Sequence, residues 1–278
     1  MVFKRKKNMK VIIFCVNYNS YDELNVYLDS IELATNVLEK TDDITVCIAD
    51  NSIKVKELDT SKYNQITVKQ YITNQNLGYF GGIMHLRDEL INELDDFNYF
   101  VISNVDLKLK NDFFLKLKKE VIAEDIGCIA PSIYSIAEGI DRNPKVINRY
   151  ELKKLKILRL MYKYPIINQV YTKIFYKKRR DKIQNYPNGY IYAPHGSFIL
   201  FTNAARQFIK DLKYPVFLFG EEIYIAEKLD EMHLKVYYNN NLIVEDMDHV
   251  STGKMKSKEY YKYNYLSIDM IIKEFYNE

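Results

Sequence analysis

Tyr99–Leu107 reads "YFVISNVDL", an apolar run that ends abruptly in an amide and a carboxylate. A continuous apolar run of this kind is typical of a buried strand in a parallel sheet. Side chains alternate between the two faces of a strand, so Asn104 and Asp106 are predicted to lie on one face. Two interpretations follow: a strand end that simply meets water, or a place where a cation and a charged ligand are held.

Three earlier apolar runs end in the same way, namely Val11–Val16, Thr45–Ala49 and Thr67–Ile72. Helical patterns lie between them, and the order strand, helix, strand, strand, helix, strand predicts an α/β fold with a mostly parallel sheet. Such sheets bind ligands beyond the carboxyl ends of their strands. The polar residues that follow the runs are Asn17 and Asn19, Asp50 and Asn51, and Asn76. We therefore expect a ligand site at this edge.

The composition is that of an enzyme-sized protein, with 278 residues of which 47% are hydrophobic. That is enough for a sizeable core in one large domain or two small ones. The three cysteines, Cys15, Cys47 and Cys128, lie in apolar stretches whose spacing fits neither a zinc site nor a disulfide framework. Buried free thiols in a reducing compartment are expected.

The basic start of the chain, residues 1–9, is followed by too few apolar residues for a signal peptide. No stretch approaches the ~18 apolar residues needed to span a bilayer. The sequence therefore predicts a cytoplasmic protein, with a peripheral position on the inner face of the membrane as a further option.

A basic segment, residues 151–182, contains eleven Lys and Arg residues against Glu151 and Asp181 alone. Its charge is 11 − 2 = +9, so the rest of the chain carries 3 − 9 = −6. Leu152, Leu155 and Leu158 recur at helical spacing inside it. Two interpretations stand: an amphipathic surface lying on anionic lipid, or a solvated helix pair covering the core. Nucleic-acid binding is not expected, because the charge is confined to one segment.

Three features of the second half of the chain carry side chains that could take part in catalysis or ligand binding. His195 lies in a Pro-His-Gly-Ser turn, and Glu221-Glu222 opens a predicted helix. His249 follows the last predicted strands, next to Asp248. Each has a plain structural interpretation: a surface histidine, or carboxylates that favour the positive end of a helix dipole.

Five ordered signatures give the sequence a resemblance to a known family: "VNYNS", "IADNS", "NQNLGYFGG", "SNVDL" and "GEEIYIAEKL". From about Lys10 to His249 the chain resembles the family 2 glycosyltransferases of the GT-A fold, in the rhamnosyltransferase-like branch of bacterial surface-polysaccharide synthesis. The resemblance implies a mostly parallel central sheet flanked by helices, with a basic helical part. It also implies a catalytic domain at 10–255, with a nucleotide-sugar half at 10–106 and an acceptor half at 107–255. Residues 256–278 are predicted to form a C-terminal helix.

The resemblance implies a donor site for a UDP- or dTDP-sugar. Asp50 resembles the carboxylate that accepts a hydrogen bond from the ring imide of uracil or thymine. The glycines of "NQNLGYFGG" would let the backbone approach the ligand closely. The full set of expected ligand-binding residues is Asn17, Asn19, Asp50, Asn51, Asn76, Gly78, Gly81, Asn104 and His195.

The resemblance also implies a metal and a base. Asn104-Val105-Asp106 stands where the family has Asp-x-Asp, so Asp106, completed by His249, would hold Mn²⁺ or Mg²⁺. Asn104 departs from that pattern and lowers the charge of the site. Glu221 and Glu222 match the family's Glu-Asp pair, in which the second carboxylate takes the proton of the acceptor hydroxyl. Glu222 is longer than the family's Asp by one methylene.

An inverting, metal-dependent glycosyltransferase acting on a glycan or lipid-linked acceptor is therefore expected. One alternative is a non-catalytic glycan- or membrane-binding protein of the same fold, for which Asn104 and Glu222 leave room. Another is a Rossmann-type dinucleotide enzyme. The turn "NYNSYDE" contains no glycine, whereas that fingerprint needs G-x-G-x-x-G there.

Overall fold

The computed structural model describes residues 8–166, 186–247 and 256–276. Within these residues, ten strands alternate with helices. The strands are β1 (Lys10–Asn17), β2 (Asp43–Asp50), β3 (Thr67–Ile72), β4 (Tyr99–Ser103), β5 (Leu107–Leu109), β6 (Ile126–Ser135), β7 (Ile140–Asp141), β8 (Gly189–Ile191), β9 (Phe198–Thr202) and β10 (Lys235–Asp246). The helices are α1 (Tyr21–Thr35), α2 (Tyr79–Glu89), α3 (Phe113–Lys119), α4 (Leu152–Lys163), α5 (Arg206–Asp211), α6 (Glu221–Glu231) and α7 (Ser257–Phe275).

All ten strands belong to one sheet, whose main path runs β3-β2-β1-β4-β9-β6-β10-β5. The first four strands are parallel, as predicted. β9 enters antiparallel between β4 and β6, and β6 and β10 are again parallel. The α/β prediction is confirmed, and the parallel part of the sheet is its first half. The second half is mixed because an apolar run does not specify the direction in which its strand runs.

Several element boundaries differ from the expected ones. The helix expected from Ile83 starts at Tyr79, inside the glycine-containing loop. The two short strands expected near the end of the sheet are one strand, β10, with a register shift between Asn239 and Ile243. A bulge of this kind interrupts the apolar alternation, so the sequence pattern looked like two strands.

The sheet is covered by helices on both faces. Along β1, Ile13 packs with α1 and α3 residues such as Leu28 and Phe113, whereas Phe14 packs with α2 residues such as Phe80. A strand buried on both faces needs a continuous apolar run rather than an alternating one. The three cysteines are buried and free, and burial raises the pKa of each thiol.

The described part of the basic segment forms α4, which packs on the C-terminal helix α7. Leu155 of α4 lies in an apolar cluster with Ile268, Ile271 and Ile272, and Arg159 pairs with Asp269 at 3.1 Å. Residues 167–182 of the basic segment lie outside the described residues. Among the described helices, none combines the length and apolarity needed to cross a membrane.

Candidate active site

The first strand end is organised by Asn17, which is fully buried. Asn17 Nδ2 donates to Asp50 Oδ1 and to Ser52 Oγ, both at 3.2 Å, while its Oδ1 accepts from the backbone N–H of Ser20 at 3.1 Å. Asn19 is exposed and adopts a left-handed conformation with φ +57°. Asn17 therefore shapes the turn, and Asn19, like Tyr18, faces solvent.

Asp50 was predicted to read a nucleotide base, yet its side chain is turned into the protein. Its exposed fraction is 0%, and its two oxygens accept four hydrogen bonds. Oδ1 accepts from Asn17 Nδ2 at 3.2 Å and Ser52 N at 3.1 Å, and Oδ2 accepts from Tyr21 Oη and Gln70 Nε2, both at 2.7 Å. A ligand N–H can reach this carboxylate only by displacing one of these donors.

Asn51 connects the second strand end to the loop that follows β3. Its Nδ2 donates to the carbonyl of Gly78 at 3.0 Å and its Oδ1 accepts from Thr73 Oγ1 at 2.8 Å. Asn76, exposed at the loop tip, accepts from the N–H of Gly78 at 3.0 Å. Gly78 has φ +77°, and a Cβ there would lie 2.4 Å from the carbonyl oxygen of Phe217. Only glycine suits this position.

Tyr79, at the start of α2, joins this loop to the Pro-His-Gly-Ser turn. Its hydroxyl donates to the carbonyl of Gly196 at 3.0 Å. Burial raises the pKa of Tyr79 well above its ordinary value, and the carboxylates of Glu221 and Asp106 add to that rise. Both carboxylates therefore act on one phenol. Gly81 lies in the first turn of α2, where a Cβ would meet Leu77.

The Asn-Val-Asp stretch follows β4 directly. Val105 is buried in the core, whereas Asn104 and Asp106 on either side of it are half-buried. The backbone N–H of Asn104 donates to the carbonyl of Ser197 at 2.8 Å. The carbonyl of Asp106 accepts from Met247 at 3.1 Å, just past the end of β10. This stretch is thus tied to the Pro-His-Gly-Ser turn on one side and to the end of β10 on the other.

The predicted metal ligands are only partly visible. His249 lies outside the described residues, which stop at Met247 before this gap. Among the described residues, no three His, Cys, Asp or Glu side chains are arranged to hold a metal ion. Asp106 offers oxygen ligands of the kind that Mg²⁺ and Mn²⁺ prefer, and Mg²⁺ is commonly held by one or two carboxylates together with substrate phosphates. The donor chemistry at Asp106 therefore suits such an ion.

His195 is held firmly within its turn. Its backbone N–H donates to Asn143 Oδ1 at 2.8 Å, and its Nδ1 lies 2.8 Å from Ser197 Oγ. Burial, with smaller effects from the cations Lys145 and Arg142, lowers the pKa of His195 to about 3. The imidazole is therefore neutral at physiological pH.

Glu221 and Glu222 open α6 in different surroundings. Glu221 is buried and its Oε1 accepts from the N–H of Phe219 at 2.9 Å. Burial, together with the charge of Glu222, raises the pKa of Glu221 well above its ordinary value. Glu222 is half-buried, and its Oε1 would lie only 3.2 Å from a Cβ built on Gly196. Its carboxylate thus packs on the bare backbone of the turn that contains His195.

Contacts connect all five signatures, the first three directly and the remaining two through the Pro-His-Gly-Ser turn. The contacts are Asn17 to Asp50, Asn51 to Gly78, Tyr79 to Gly196, Asn104 to Ser197, and Glu222 to Gly196. Tyr79, Tyr21 and Gln70 were not among the predicted site residues. Tyr79 lies inside the "NQNLGYFGG" signature and Tyr21 directly follows "VNYNS", so their positions could have indicated a place in the site. No feature of the sequence marks Gln70 on β3.

No family model matches the sequence, and no curated protein matches it. Solved structures do match. TarS of S. aureus has a TM-score of 0.55 and 13% identity, covering 96% of this chain and 40% of TarS. The mannosyltransferase PcManGT from Pyrobaculum calidifontis, solved with GDP-Man and Mn²⁺, has a TM-score of 0.51 and 10% identity. The match covers 96% of this chain and 71% of PcManGT. GalNAc-T7, solved with UDP, GalNAc and Mn²⁺, has a TM-score of 0.55 and 11% identity. The match covers 98% of this chain and 49% of GalNAc-T7.

The chain thus spans less than half the length of TarS and of GalNAc-T7. At identities of 10–13% the likeness establishes the fold. The mixed sheet, flanked by helices and carrying the polar strand ends at one edge, is the GT-A fold of glycosyltransferases.

Proposed function

We propose that this protein is an inverting, metal-dependent glycosyltransferase. It moves a sugar from a UDP- or dTDP-sugar to a glycan or lipid-linked acceptor in cell-surface polysaccharide synthesis. The observation that carries the proposal is the contact of Glu222 with Gly196, in a turn hydrogen-bonded to Asn104. A candidate base and the Asp106 stretch are thereby held at one sheet edge.

Glu222 is the proposed base. It takes the proton of the acceptor hydroxyl while the hydroxyl oxygen attacks the anomeric carbon, and the bond from that carbon to the diphosphate breaks. Glu222 suits this task because its carboxylate is half-open at the turn. Glu221, buried and favoured in its neutral form, acts as a positioning residue that fixes the turn before α6 through Phe219.

Asp106 is the proposed metal ligand, and His249 is proposed as its partner because the chain leaves β10 beside Asp106 at Met247. A divalent cation bound there would offset the charge that develops on the departing diphosphate. Mn²⁺ in the structures of PcManGT and GalNAc-T7 supports this choice of ion. Asn104 adds an amide without adding charge.

The donor half is proposed to span 10–106 and the acceptor half 107–255. Asn19 and Asn76, which are exposed, and the half-buried Gly81 are available to a nucleotide sugar, whereas the buried Gly78 is proposed to act by shaping the loop. The buried residues Asn17, Asp50 and Asn51 hold these turns in place. Asp50 is thus proposed to act mainly by holding these turns in place. It would bind the nucleotide base only after the hydrogen bond from Tyr21 or Gln70 to its carboxylate has broken.

We also propose an anionic membrane surface as a partner of α4. Ile157, Leu160 and Tyr164 are 47%, 47% and 49% exposed, and their spacing places them on one helix face. Lys153, Lys156 and Lys163 are exposed along the same face. Apolar side chains flanked by lysines match the chemistry of an anionic bilayer surface.

A thermal-shift screen tests the main proposal. UDP-, dTDP- and GDP-sugars are added with and without Mn²⁺, and nucleoside diphosphate release is then measured in the presence of a cell-envelope glycan extract. We expect a UDP- or dTDP-sugar plus Mn²⁺ to stabilise the protein. Stabilisation by NAD would instead indicate a dinucleotide enzyme. Stabilisation by no nucleotide would indicate the non-catalytic binding protein.

Three variants locate the chemistry. Glu222→Gln should keep the donor-induced thermal shift yet lose release by at least ~10²-fold, the usual contribution of a general base. Asp106→Ala should lose the Mn²⁺ dependence of that shift. Asp230→Asn, an exposed carboxylate near the far end of the same helix, is the matched control and should behave as wild type. Full activity in Glu222→Gln would refute its assignment as the base.

A further inference from the structure

The segment before α4 lies directly against the Pro-His-Gly-Ser turn. Val146 and Ala193 exchange two backbone hydrogen bonds, at 3.2 and 2.9 Å. The buried amide of Asn143 accepts at one oxygen from His195 N at 2.8 Å and from Lys145 N at 3.2 Å. The backbones at residues 145 and 195 are therefore fixed side by side.

The tautomer of His195 follows from its contacts within the turn. The backbone N–H of Ser197 donates to Nδ1 at 3.3 Å, so Nδ1 is an acceptor and the ring proton is on Nε2. Nε2 has no hydrogen-bond partner in the part of the chain that the structure describes. Because the ring stays neutral down to acid pH, it presents one N–H donor over the whole physiological range.

Lys145 supplies positive charge next to this turn, because its backbone N–H shares the Asn143 oxygen with that of His195. It is exposed, and within residues 8–166, 186–247 and 256–276 it has no ion-pair partner. Arg142, the other cation near the ring, already pairs with Asp246 at 2.5 Å. Glu222 packs against the neighbouring Gly196, so an anion can approach this turn only where a cation offsets that carboxylate.

We propose that His195 Nε2–H and Lys145 Nζ form an anion subsite at the rim of the acceptor turn, which binds a phosphoryl group of the acceptor. A neutral N–H donor next to an ammonium group matches the oxygens of a phosphate or diphosphate. The phosphoryl group belongs to a lipid diphosphate or to a phosphate-bearing glycan. This inference rests on the proposed function and specifies the class of acceptor.

The test uses the full chain with ¹⁵N-labelled histidine, with UDP and the diamagnetic ion Mg²⁺ present to fill the donor site. His195 Nε2–H is assigned with a His195→Gln variant, and its NMR signal is followed on addition of geranyl diphosphate, glycerol 3-phosphate or inorganic phosphate. We expect a saturable shift. Tighter binding of geranyl diphosphate identifies a lipid source, and tighter binding of glycerol 3-phosphate identifies a glycan source.

Lys145→Ala should weaken the binding of the phosphate probe roughly tenfold or more, as expected for loss of a charged hydrogen bond. Lys145→Arg, which keeps the charge, should restore most of that affinity. Lys40→Ala, an exposed lysine just before the amino end of β2, is the matched control and should bind as wild type. The proposed subsite is refuted if the His195 Nε2–H signal does not shift on addition of any probe, or if Lys145→Ala binds the phosphate probe as tightly as wild type.

The donor thermal shift is recorded on the same samples. A protein that responds to UDP and Mg²⁺ while the His195 signal does not shift retains its proposed function and lacks only the anion subsite. A protein that ignores every nucleotide fails the proposed function itself.

Discussion

Glu221 and Glu222 are neighbours in the chain but lie in different surroundings. Glu221 is enclosed by the protein near the phenols of Tyr79 and Tyr214, whose pKa values its charge raises. Glu222 is half-open and packs against Gly196. Two adjacent carboxyls with different surroundings can thus differ in protonation, as the proposed base and its proposed positioning neighbour require.

The protonation of Glu221 predicts how stability depends on pH. Burial and the charge of Glu222 raise its pKa from 4.5 to about 8, so the folded protein binds this proton more tightly than the unfolded chain. Its contribution to stability is complete below pH 4.5 and is lost as the pH rises through about 8. The slope approaches ~1.4 kcal/mol per pH unit in between. Urea unfolding across this range measures it.

Glu221→Gln removes the titration while keeping an acceptor for the N–H of Phe219. Its free energy of unfolding should therefore fall less steeply between pH 5 and pH 8 than that of wild type. Asp230→Asn serves as the control and should keep the wild-type slope. Identical slopes in Glu221→Gln and wild type would mean that Glu221 is ionised in the folded protein.

The sequence predicted which residue types would gather at the sheet edge, but not which of them would be open. Asn17 and Asp50 occupy paired positions at the ends of β1 and β2, as their motifs indicated. Their burial depends on Tyr21 and on Gln70, which lie on different elements and supply donors to Asp50. Local patterns predict the strand end and not the donors that reach it from elsewhere.

At the scale of elements, the turn before α6 is a tightly constrained part of the site's backbone. Phe219 and Gly220 adopt left-handed conformations, with φ +73° and +82°. A bulky residue such as phenylalanine rarely adopts this conformation, and strained backbone is often found at functional sites. A Cβ on Gly220 would lie 1.7 Å from Ser267 Oγ on α7. The C-terminal helix α7 therefore packs closely against the turn that precedes Glu221 and Glu222.

Gly220→Ala should destabilise the protein by at least about 1–2 kcal/mol for the left-handed conformation, with a further cost from the contact with Ser267. Combining it with Ser267→Gly should recover only the second part, and equilibrium denaturation separates the two. Gly189→Ala is the control, since a Cβ there meets nothing within 4 Å. Equal stability of Gly220→Ala and Gly189→Ala would contradict this account of the turn.

Element identity was easier to predict than element direction. The apolar runs of β1 to β4 were found from their composition, and β3 has the expected bounds. The insertion of β9 between β4 and β6 could not be predicted, because pairing of Tyr99 with Thr202 is a contact between distant parts of the chain. The start of α2 at Tyr79 was missed because two glycines follow it and weaken the helical pattern.

At the scale of the whole molecule, charge and apolar surface coincide on α4. The apolar side of α4 packs on α7 through Leu155. Its outer side exposes Ile157 and Leu160 among lysines, although the rest of the described chain is predominantly acidic. A protein with this distribution would present one particular face to an anionic surface.

Vesicle sedimentation tests this orientation. The protein should bind vesicles containing phosphatidylglycerol and should not bind pure phosphatidylcholine. Lys153→Glu should weaken binding by more than the ~1 kcal/mol that one lysine contributes near such a surface. Ile157→Ser combined with Leu160→Ser should weaken it at high salt as well, and Lys40→Ala serves as the control. Equal binding to both lipids would exclude the electrostatic part of the proposal.

The position of β9 also bears on how the chain is made. The parallel strands β3-β2-β1-β4 are complete once Ser103 has left the ribosome, but β4 then has an unpaired edge that is occupied by Phe198–Thr202 only much later. Unpaired apolar edges promote association between chains. During synthesis the first four strands can therefore pair while the edge of β4 is still open, and the arrival of β9 closes that edge and brings Ser197 beside Asn104.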